Sequence, residues 1–285
     1  MKAVLVLGAN GQLGSCLKEI ASSYSQFVFT FLSSTQCNVT SELNVQDVIL
    51  KGNYDYCVNC AAYTNVDKSE DEVKDAFDVN TFGPRFLAQA CAKSKTVLVH
   101  ISTDFVFDGE KGSPYLEDDI TNPLGVYGKS KLEGEREIIK NTSQYFIIRT
   151  SWLYSEYGKN FVKTMINLSQ KENTISVVND QIGSPTYAVD LAYVILEIIQ
   201  SKSTSYGIYH FSNNGSISWF DLALKVFELK NIEIVLRPIK TKDYPTRAKR
   251  PRYSVLDTEK IEHHFQIKTG DWQHSLSKAL KKIHD

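Results

Sequence analysis

Tyr127 and Lys131 stand four residues apart in Tyr127-Gly128-Lys129-Ser130-Lys131, within a stretch of helical patterning. That spacing puts a phenol and an ammonium on one helix face. Reducing a carbonyl requires a proton at oxygen while a hydride reaches carbon. A phenol can donate that proton, although its ordinary pKa is about 10. A neighbouring ammonium favours the phenolate; at roughly 4 Å and an effective dielectric near 20 the attraction is a few kcal/mol. The sequence therefore predicts a Tyr127 drawn down by Lys131. Upstream, Ser102-Thr103-Asp104-Phe105 ends an apolar run, and Thr103 at a strand end can hydrogen-bond the substrate oxygen and assist proton transfer. Alone, such a Tyr–Lys pair is usually a surface helix pair. What lifts it here is its place after a glycine-rich turn.

That turn is Gly8-Ala9-Asn10-Gly11-Gln12-Leu13-Gly14, at the end of the apolar run Ala3–Leu7. Gly8, Gly11 and Gly14 allow a tight bend and close approach to a pyrophosphate, and the next helix offers free N–H groups to that anion. The second strand ends Phe31-Leu32-Ser33-Ser34-Thr35, with neither an acid for an adenine ribose 2′-OH nor an arginine for a 2′-phosphate. The hydroxyls can accept a phosphate and nothing repels one. NADPH or NADH is expected, with a mild preference for NADPH.

Elements able to position these residues alternate along the first half. Strands are expected at Ala3–Leu7, Phe27–Leu32, Tyr56–Ala62, Thr96–Ile101 and Tyr145–Arg149. Helices are expected at about Gln12–Ser23, Leu43–Leu50, Lys74–Lys93 and Gly128–Lys140. Continuous apolar strands alternating with helices predict an α/β fold, a Rossmann-type doubly wound parallel sheet covered on both faces. Residues 1–155 would form the NAD(P)-binding domain, with about 173–212 returning to it. Residues 156–285 would form mainly a smaller C-terminal substrate-binding α/β domain. Its expected helices are Asn160–Gln170, Val189–Ser201, Trp219–Leu229 and Ser275–Ile283; its strands are Ile175–Val178, Ile208–Phe211 and Ile234–Leu236.

The 285 residues carry a net charge of −1, which offers no electrostatic footprint for nucleic acid or an anionic membrane. The N-terminal apolar run is too short for a membrane span and lacks a signal-peptide cleavage pattern. Five cysteines without framework spacing predict reduced thiols and a cytoplasmic location. Cys57 and Cys60 form a C-x-x-C inside a strand, where the two side chains diverge, and no second pair completes a metal site. No metal is expected. The Arg237–Arg252 stretch is locally basic: a solvated face or a cradle for an anionic substrate, with Arg247, Lys249 and Arg250 as candidates for a diphosphate and Arg250 as the chosen substrate contact. His100, in an apolar strand, reads as structural.

The chain resembles the dTDP-4-dehydrorhamnose reductase family of the extended short-chain dehydrogenase/reductase superfamily. The matching stretches are GANGQLG, CAAYTNVDKSEDE, STDFVFDG, TNPLGVYGKSKLEGE, RTSWLY, VVNDQIGSPTY and YPTRAKRPRYSVLDTEK, together spanning nearly the whole length. The resemblance implies reduction of the C4 ketone of a dTDP-linked 6-deoxyhexose in dTDP-rhamnose and polysaccharide biosynthesis. Tyr127 would be proton donor, Thr103 its helper and Lys131 its tuner. Gly11, Gln12, Leu13, Ala62, Tyr63 and Thr64 would contact the cofactor, with Asn38 and Val39 beside the adenine. Thr103, Asp104 and Trp152 would contact the sugar. Three positions depart from the family: Phe105 stands where a tyrosine is common, Asn38 where an aspartate is frequent, and Cys16 where some members carry an acid thought to bridge a dimer through magnesium. A homodimer stays open; the magnesium is not expected.

Other readings remain. A dehydratase of this superfamily carries a glutamate directly after Thr-Asp, where Phe105 moves no proton. A reductase of another nucleotide-linked 4-keto-deoxysugar would differ at few residues. A non-catalytic regulatory subunit, like that of methionine adenosyltransferase, would have no need of Thr103, Tyr127 and Lys131 together.

Overall fold

Alternate residues of the first apolar run face opposite sides, and both sides are dry. In the computed structural model, which describes residues 1–283, Val4 and Val6 pack into one hydrophobic cluster and Leu5 and Leu7 into another. The same division holds for Cys57 and Val58 and for Leu98 and Val99. Cys60 packs with the first cluster and Cys57 with the second, so the C-x-x-C thiols do diverge. Burial on both faces is what an all-parallel sheet requires.

The first half runs β1 (Lys2–Leu7), α1 (Gln12–Ile20), β2 (Phe27–Leu32), α2 (Glu42–Gly52), β3 (Tyr56–Asn59), α3 (Val73–Phe77), α4 (Gly83–Ser94), β4 (Val97–Thr103), α5 (Val126–Asn141) and β5 (Tyr145–Thr150). Beyond it come β6 (Leu153–Tyr154), α6 (Phe161–Ser169), β7 (Thr174–Val178), β8 (Ile182–Gly183), β9 (Thr186–Tyr187), α7 (Ala188–Ser201) and β10 (Gly207–His210). The chain continues through β11 (Ile217–Ser218), α8 (Trp219–Lys230), β12 (Val235–Ile239), α9 (Glu259–Phe265) and α10 (Trp272–Lys282).

Six parallel strands form the main sheet in the order β10-β5-β4-β3-β1-β2. The order reverses between β1 and β3, and such a reversal opens a crevice at the carboxyl ends of the strands. α2, α4 and α5 lie on the face with Leu5 and Leu7, and α1 packs against α7 on the other. From the later segment α7 and β10 join this sheet, whereas β7 pairs with β12 in a separate two-stranded sheet. Pro238 sits in β12, an edge strand where a missing N–H is tolerated. No helix among the described residues is long and apolar enough to cross a membrane.

The helix expected over Lys74–Lys93 is broken by a π-turn at Asp78–Phe82, between α3 and α4. Pro84 explains it. A proline has no N–H for the carbonyl four residues back, here Asn80, and its ring crowds that carbonyl. The ladder widens instead, and Gly83 N–H donates to Asp78 O. Asn80 then works as a bracket: its Oδ1 accepts from Tyr63 N at 2.9 Å, and its Nδ2 donates to Tyr63 O at 3.0 Å and to Ser130 Oγ at 3.1 Å. Thr81 Oγ1 donates to Ser130 O at 2.7 Å. The Ala62-Tyr63-Thr64 loop is thereby tied to α5, the helix bearing Tyr127 and Lys131.

The approach of α5 to the π-turn depends on Gly134, where a Cβ would lie 2.1 Å from Asn80 O. In an open helix Gly→Ala stabilises by roughly 1 kcal/mol; here overpacking of about 1–3 kcal/mol opposes it. Gly134→Ala is expected to lower the urea midpoint and to reduce turnover by displacing α5. A variant with a raised midpoint would mean that the helix can shift away freely.

Candidate active site

β1 delivers the chain into the glycine turn. Gly8 has φ +72°, and a Cβ there would lie 2.7 Å from Ala61 N. Gly11 N–H donates to Gly8 O at 3.0 Å, and Gly11 stands at the cap position of α1 without a side-chain cap hydrogen bond. Leu13 and Gly14 are buried on the inner side of α1. The turn thus has what a pyrophosphate needs: bare backbone, room only for glycine, and a helix start without a cap. The Gln12 side chain is engaged elsewhere, its Oε1 accepting from Ser155 Oγ at 3.1 Å and Asn160 Nδ2 at 2.9 Å.

The adenine-side candidates lie after β2. Ser33 Oγ and Thr35 Oγ1 are 2.9 Å apart, and Gln36 Oε1 accepts from Ser33 N and Oγ. The hydroxyls thus form a small exposed polar loop. Asn38 is exposed, and its Oδ1 accepts from Thr40 N and Oγ1; Val39 is buried against Gly83. Thr64 is exposed and Ala62 and Tyr63 half-buried, at the carboxyl end of β3.

β4 and α5 bring the reactive groups together. α5 begins at Val126, so Tyr127 lies in its first turn, one turn before Lys131. Phe105 meets the Tyr127 ring edge-to-face at 5.7 Å. Thr103 Oγ1 donates to Asp104 Oδ1 at 3.0 Å and accepts from Phe105 N at 3.2 Å. Burial pushes the Tyr127 phenol up to about 12, the Asp104 carboxylate adds to the rise, and the Thr103 hydroxyl opposes it. The lowering expected from Lys131 does not govern this site. Lys131 is 2% exposed, and its Nζ donates to Ile101 O at 2.6 Å and lies 3.4 Å from His100 Nε2. Burial brings Lys131 itself down to about 8. At neutral pH the phenol therefore keeps the proton it would have to donate.

His100 is fully buried, as a structural residue should be, but its neighbour is Lys131 and its Nδ1 lies 3.1 Å from Asn59 Nδ2. Burial, reinforced by Lys131, holds its pKa well below the ordinary histidine value. A histidine in an apolar strand gave no hint in the sequence of facing the lysine.

Asp104 is 2% exposed, and its Oδ2 has no hydrogen-bond partner. Burial raises the carboxyl to about 6, against the Ser254 and Thr103 hydroxyls. A buried, unpartnered acceptor beside a candidate proton donor suits a ligand hydroxyl.

Trp152 has φ +47°, an uncommon backbone for a bulky side chain. Its indole stacks on Trp219 with centroids 3.5 Å apart and planes 8° apart, over Gly183, where a Cβ would come within 2.5 Å of the ring. Trp219, which sequence reasoning did not single out, also packs against Phe161 at 4.6 Å. Its only sequence signal was its place just after Ser218, the helix cap of α8. Beside the stack lies a cleft of about 340 Å³ lined by Phe161, Met165, Val177, Trp219, Tyr244 and Arg250. Arg250 is held by Asp67, its Nη2 at 2.6 Å from Oδ2 and its Nη1 at 3.1 Å from Oδ1; Arg247 pairs with Asp71 at 2.6 Å. Lys249 is exposed.

The family model described as RmlD substrate binding domain matches residues 1–284. The dTDP-4-dehydrorhamnose reductase of Aggregatibacter actinomycetemcomitans is 42% identical, over 99% of this chain and 98% of its own length. The spore coat polysaccharide biosynthesis protein SpsK of Bacillus subtilis is 38% identical, over 99% and 98%. A crystal structure of dTDP-4-dehydrorhamnose reductase from Bacillus anthracis in complex with NADP superposes with a TM-score of 0.95 at 38% identity, covering 99% of this chain and all of that one.

The Asp104 carboxyl gives a stability test. Its folded pKa of about 6 exceeds the ordinary aspartate value. Between those two values the folded state binds more protons than the unfolded one, so stability falls as pH rises through that window. Above it the full cost, on the order of 3 kcal/mol, is present. Asp104→Asn should therefore raise the melting temperature near neutral pH and change it little at about pH 4, where the native carboxyl is already protonated. Equal effects at both pH values in calorimetry would contradict the assignment.

Proposed function

The chain belongs to the RmlD family of dTDP-4-dehydrorhamnose reductases, and from that membership we infer that it reduces the C4 ketone of dTDP-4-dehydro-6-deoxy-L-mannose to give dTDP-L-rhamnose, using NAD(P)H. The observation that carries this reading is the convergence of Tyr127, Thr103 and the unpartnered Asp104 Oδ2 at the carboxyl end of β4, on the sheet edge that also carries the glycine turn. In this reading residues 1–155, with about 173–212 returning to them, hold the cofactor and 156–285 mainly the sugar nucleotide. The last two residues lie outside the described ones.

Gly8, Gly11, Leu13 and Gly14 would hold the dinucleotide's pyrophosphate, with Ser33 and Thr35 at the adenine ribose and Lys131 at the nicotinamide ribose. When bound, the dinucleotide supplies the hydride. Tyr127 delivers its phenolic proton to the carbonyl oxygen as negative charge develops there, and the Thr103 hydroxyl steadies that oxygen. Asp104 Oδ2 accepts from a sugar hydroxyl. Trp152 covers the apolar face of the ring, next to Trp219. The apolar cleft beyond suits a nucleoside, and Arg250, kept in place by Asp67, has N–H donors left for the diphosphate. Binding energy from the unreactive dTDP part orients the sugar. A cytoplasmic location agrees with this biosynthetic role, and the reading accommodates a homodimer.

Purified protein should oxidise NAD(P)H in the presence of the 4-keto sugar nucleotide, with the product identified by mass and NMR. Turnover with another 4-ketosugar nucleotide but none with this one would leave only the reductase class standing. Cofactor binding without any oxidation across a panel of such substrates would favour the regulatory-subunit reading. Tyr127→Phe should lose about 10²–10⁴-fold in turnover or more while cofactor affinity persists; near-normal turnover would reject the proton-donor role. Both NADH and NADPH should serve, NADPH slightly better. Ser33→Asp should swing the preference toward NADH through repulsion of the 2′-phosphate, and strict NADH dependence of the parent protein would sink this account of the Ser33–Thr35 loop.

A further inference from the structure

Tyr127, Lys131 and Glu135 recur every fourth residue along α5, on the face turned to the sheet. The proposed chemistry uses the first two and leaves the third unexplained. Glu135 and Arg149 of β5 have side chains 2% and 3% exposed. Arg149 Nη2 donates to Glu135 Oε2 at 2.7 Å and Arg149 Nε to Oε1 at 3.0 Å, a two-pronged pairing. The Ser102 hydroxyl donates to Glu135 Oε1 as well. Arg149 Nη1 reaches Glu117 O at 3.2 Å, and its guanidinium lies 5.2 Å above the Phe107 ring. A fully buried ion pair is a weak source of stability, because desolvation offsets its attraction. Its position is more informative: Ser102 immediately precedes Thr103, and Glu135 lies one turn beyond Lys131.

Resting on the reading that Tyr127 and Lys131 carry out the reduction, we propose that the Glu135–Arg149 pair positions the catalytic groups. Through Ser102 it locks the end of β4, which presents Thr103, to the helix that presents Tyr127, and Glu135 supplies the negative charge that faces Lys131. Glu135 and Arg149 touch no reacting atom in this scheme; they act through Lys131 and Thr103.

The charge environment makes the role measurable. Lys131 is faced by Cys60 from just beyond β3, by His100 on β4 and by Glu135 on its own helix, with Tyr127 one turn before it and Arg149 of β5 paired to Glu135. His100 is held neutral and Cys60 stays a thiol, its pKa pushed far up by burial. Asp104 stands on the Tyr127 side of the site, raising the phenol. Against the burial that brings Lys131 down to about 8, Glu135 is the leading opposing influence. Removing its charge should make Lys131 lose its proton at lower pH.

The test is the pH profile of kcat/KM. Glu135→Gln keeps the shape and loses the charge. It should move the alkaline limb at least about one pH unit toward acid, equivalent to tenfold in the proton equilibrium, and cut kcat at least tenfold while KM for the sugar nucleotide stays within threefold. Glu135→Asp should restore the limb's position in part. Because Glu135→Gln strands the Arg149 charge and can fail to fold, Glu135→Gln/Arg149→Met is measured beside it; with the Arg149 charge removed as well it should fold and still show the acid-shifted limb. If the folded variants lose activity only in step with melting temperature and the limb stays in place, the pair is merely structural and the proposal falls. Tyr127→Phe is run in parallel: retained turnover there would show that the catalytic reading itself, and with it this proposal, is wrong.

Discussion

The whole site hangs on how near α5 can come to the strand of chain that precedes it. Pro84 withholds an N–H from the Asn80 carbonyl and forces a π-turn, and Gly134 lets α5 settle against that carbonyl. Asn80 uses its side chain in the same place to fasten the Tyr63 loop to Ser130. One local irregularity therefore fixes the distance between the β3 loop and the first turns of α5. A regular helix through this region, as periodicity alone predicts, would have had neither the bend nor the bracket.

Close packing brings an electrostatic consequence. Tyr127, Lys131, Asp104 and His100 share a volume with little water, and burial pushes each toward its neutral form. The effect is not uniform because each has a different neighbour. Asp104 keeps an unpartnered oxygen, Lys131 has Glu135 to oppose its burial, and the Tyr127 phenol is raised further by Asp104. Groups pushed apart in this way can take different parts in one proton transfer.

Much of this was legible in the chain. Apolar runs gave the sheet strands, because strands buried on both faces need no alternation, and the glycine spacing marked the turn after β1. Tyr127 and Lys131 stood out as candidates by helical spacing and Thr103 by its place at the end of an apolar run, and the fold brings β4 and α5 together. What stayed hidden depends on contacts between distant segments. The π-turn left no trace in the periodicity, although Pro84 lies inside the helix expected over Lys74–Lys93 and is what widens the ladder. The direction of the Tyr127 shift needed the burial of the phenol and the nearness of Asp104, neither of which spacing reveals. Trp219 and His100 became visible only when β11 and β4 brought them beside Trp152 and Lys131. The short helix at Glu259–Phe265, with Ile261 its one buried residue, was too brief for its period to stand out.

Gln12 sits on the glycine turn, yet its side-chain oxygen serves Ser155 and Asn160, the latter the residue that caps α6. α6 in turn supplies Phe161 and Met165 to the aromatic cleft. The two recognition surfaces are thus mechanically one body, joined by a pair of hydrogen bonds of about 1 kcal/mol each. A displacement of the turn is therefore passed through Gln12 to the cap of α6 and the wall of the cleft. Any coupling of two ligands through that link is reciprocal, each changing the other's affinity by the same factor whichever binds first.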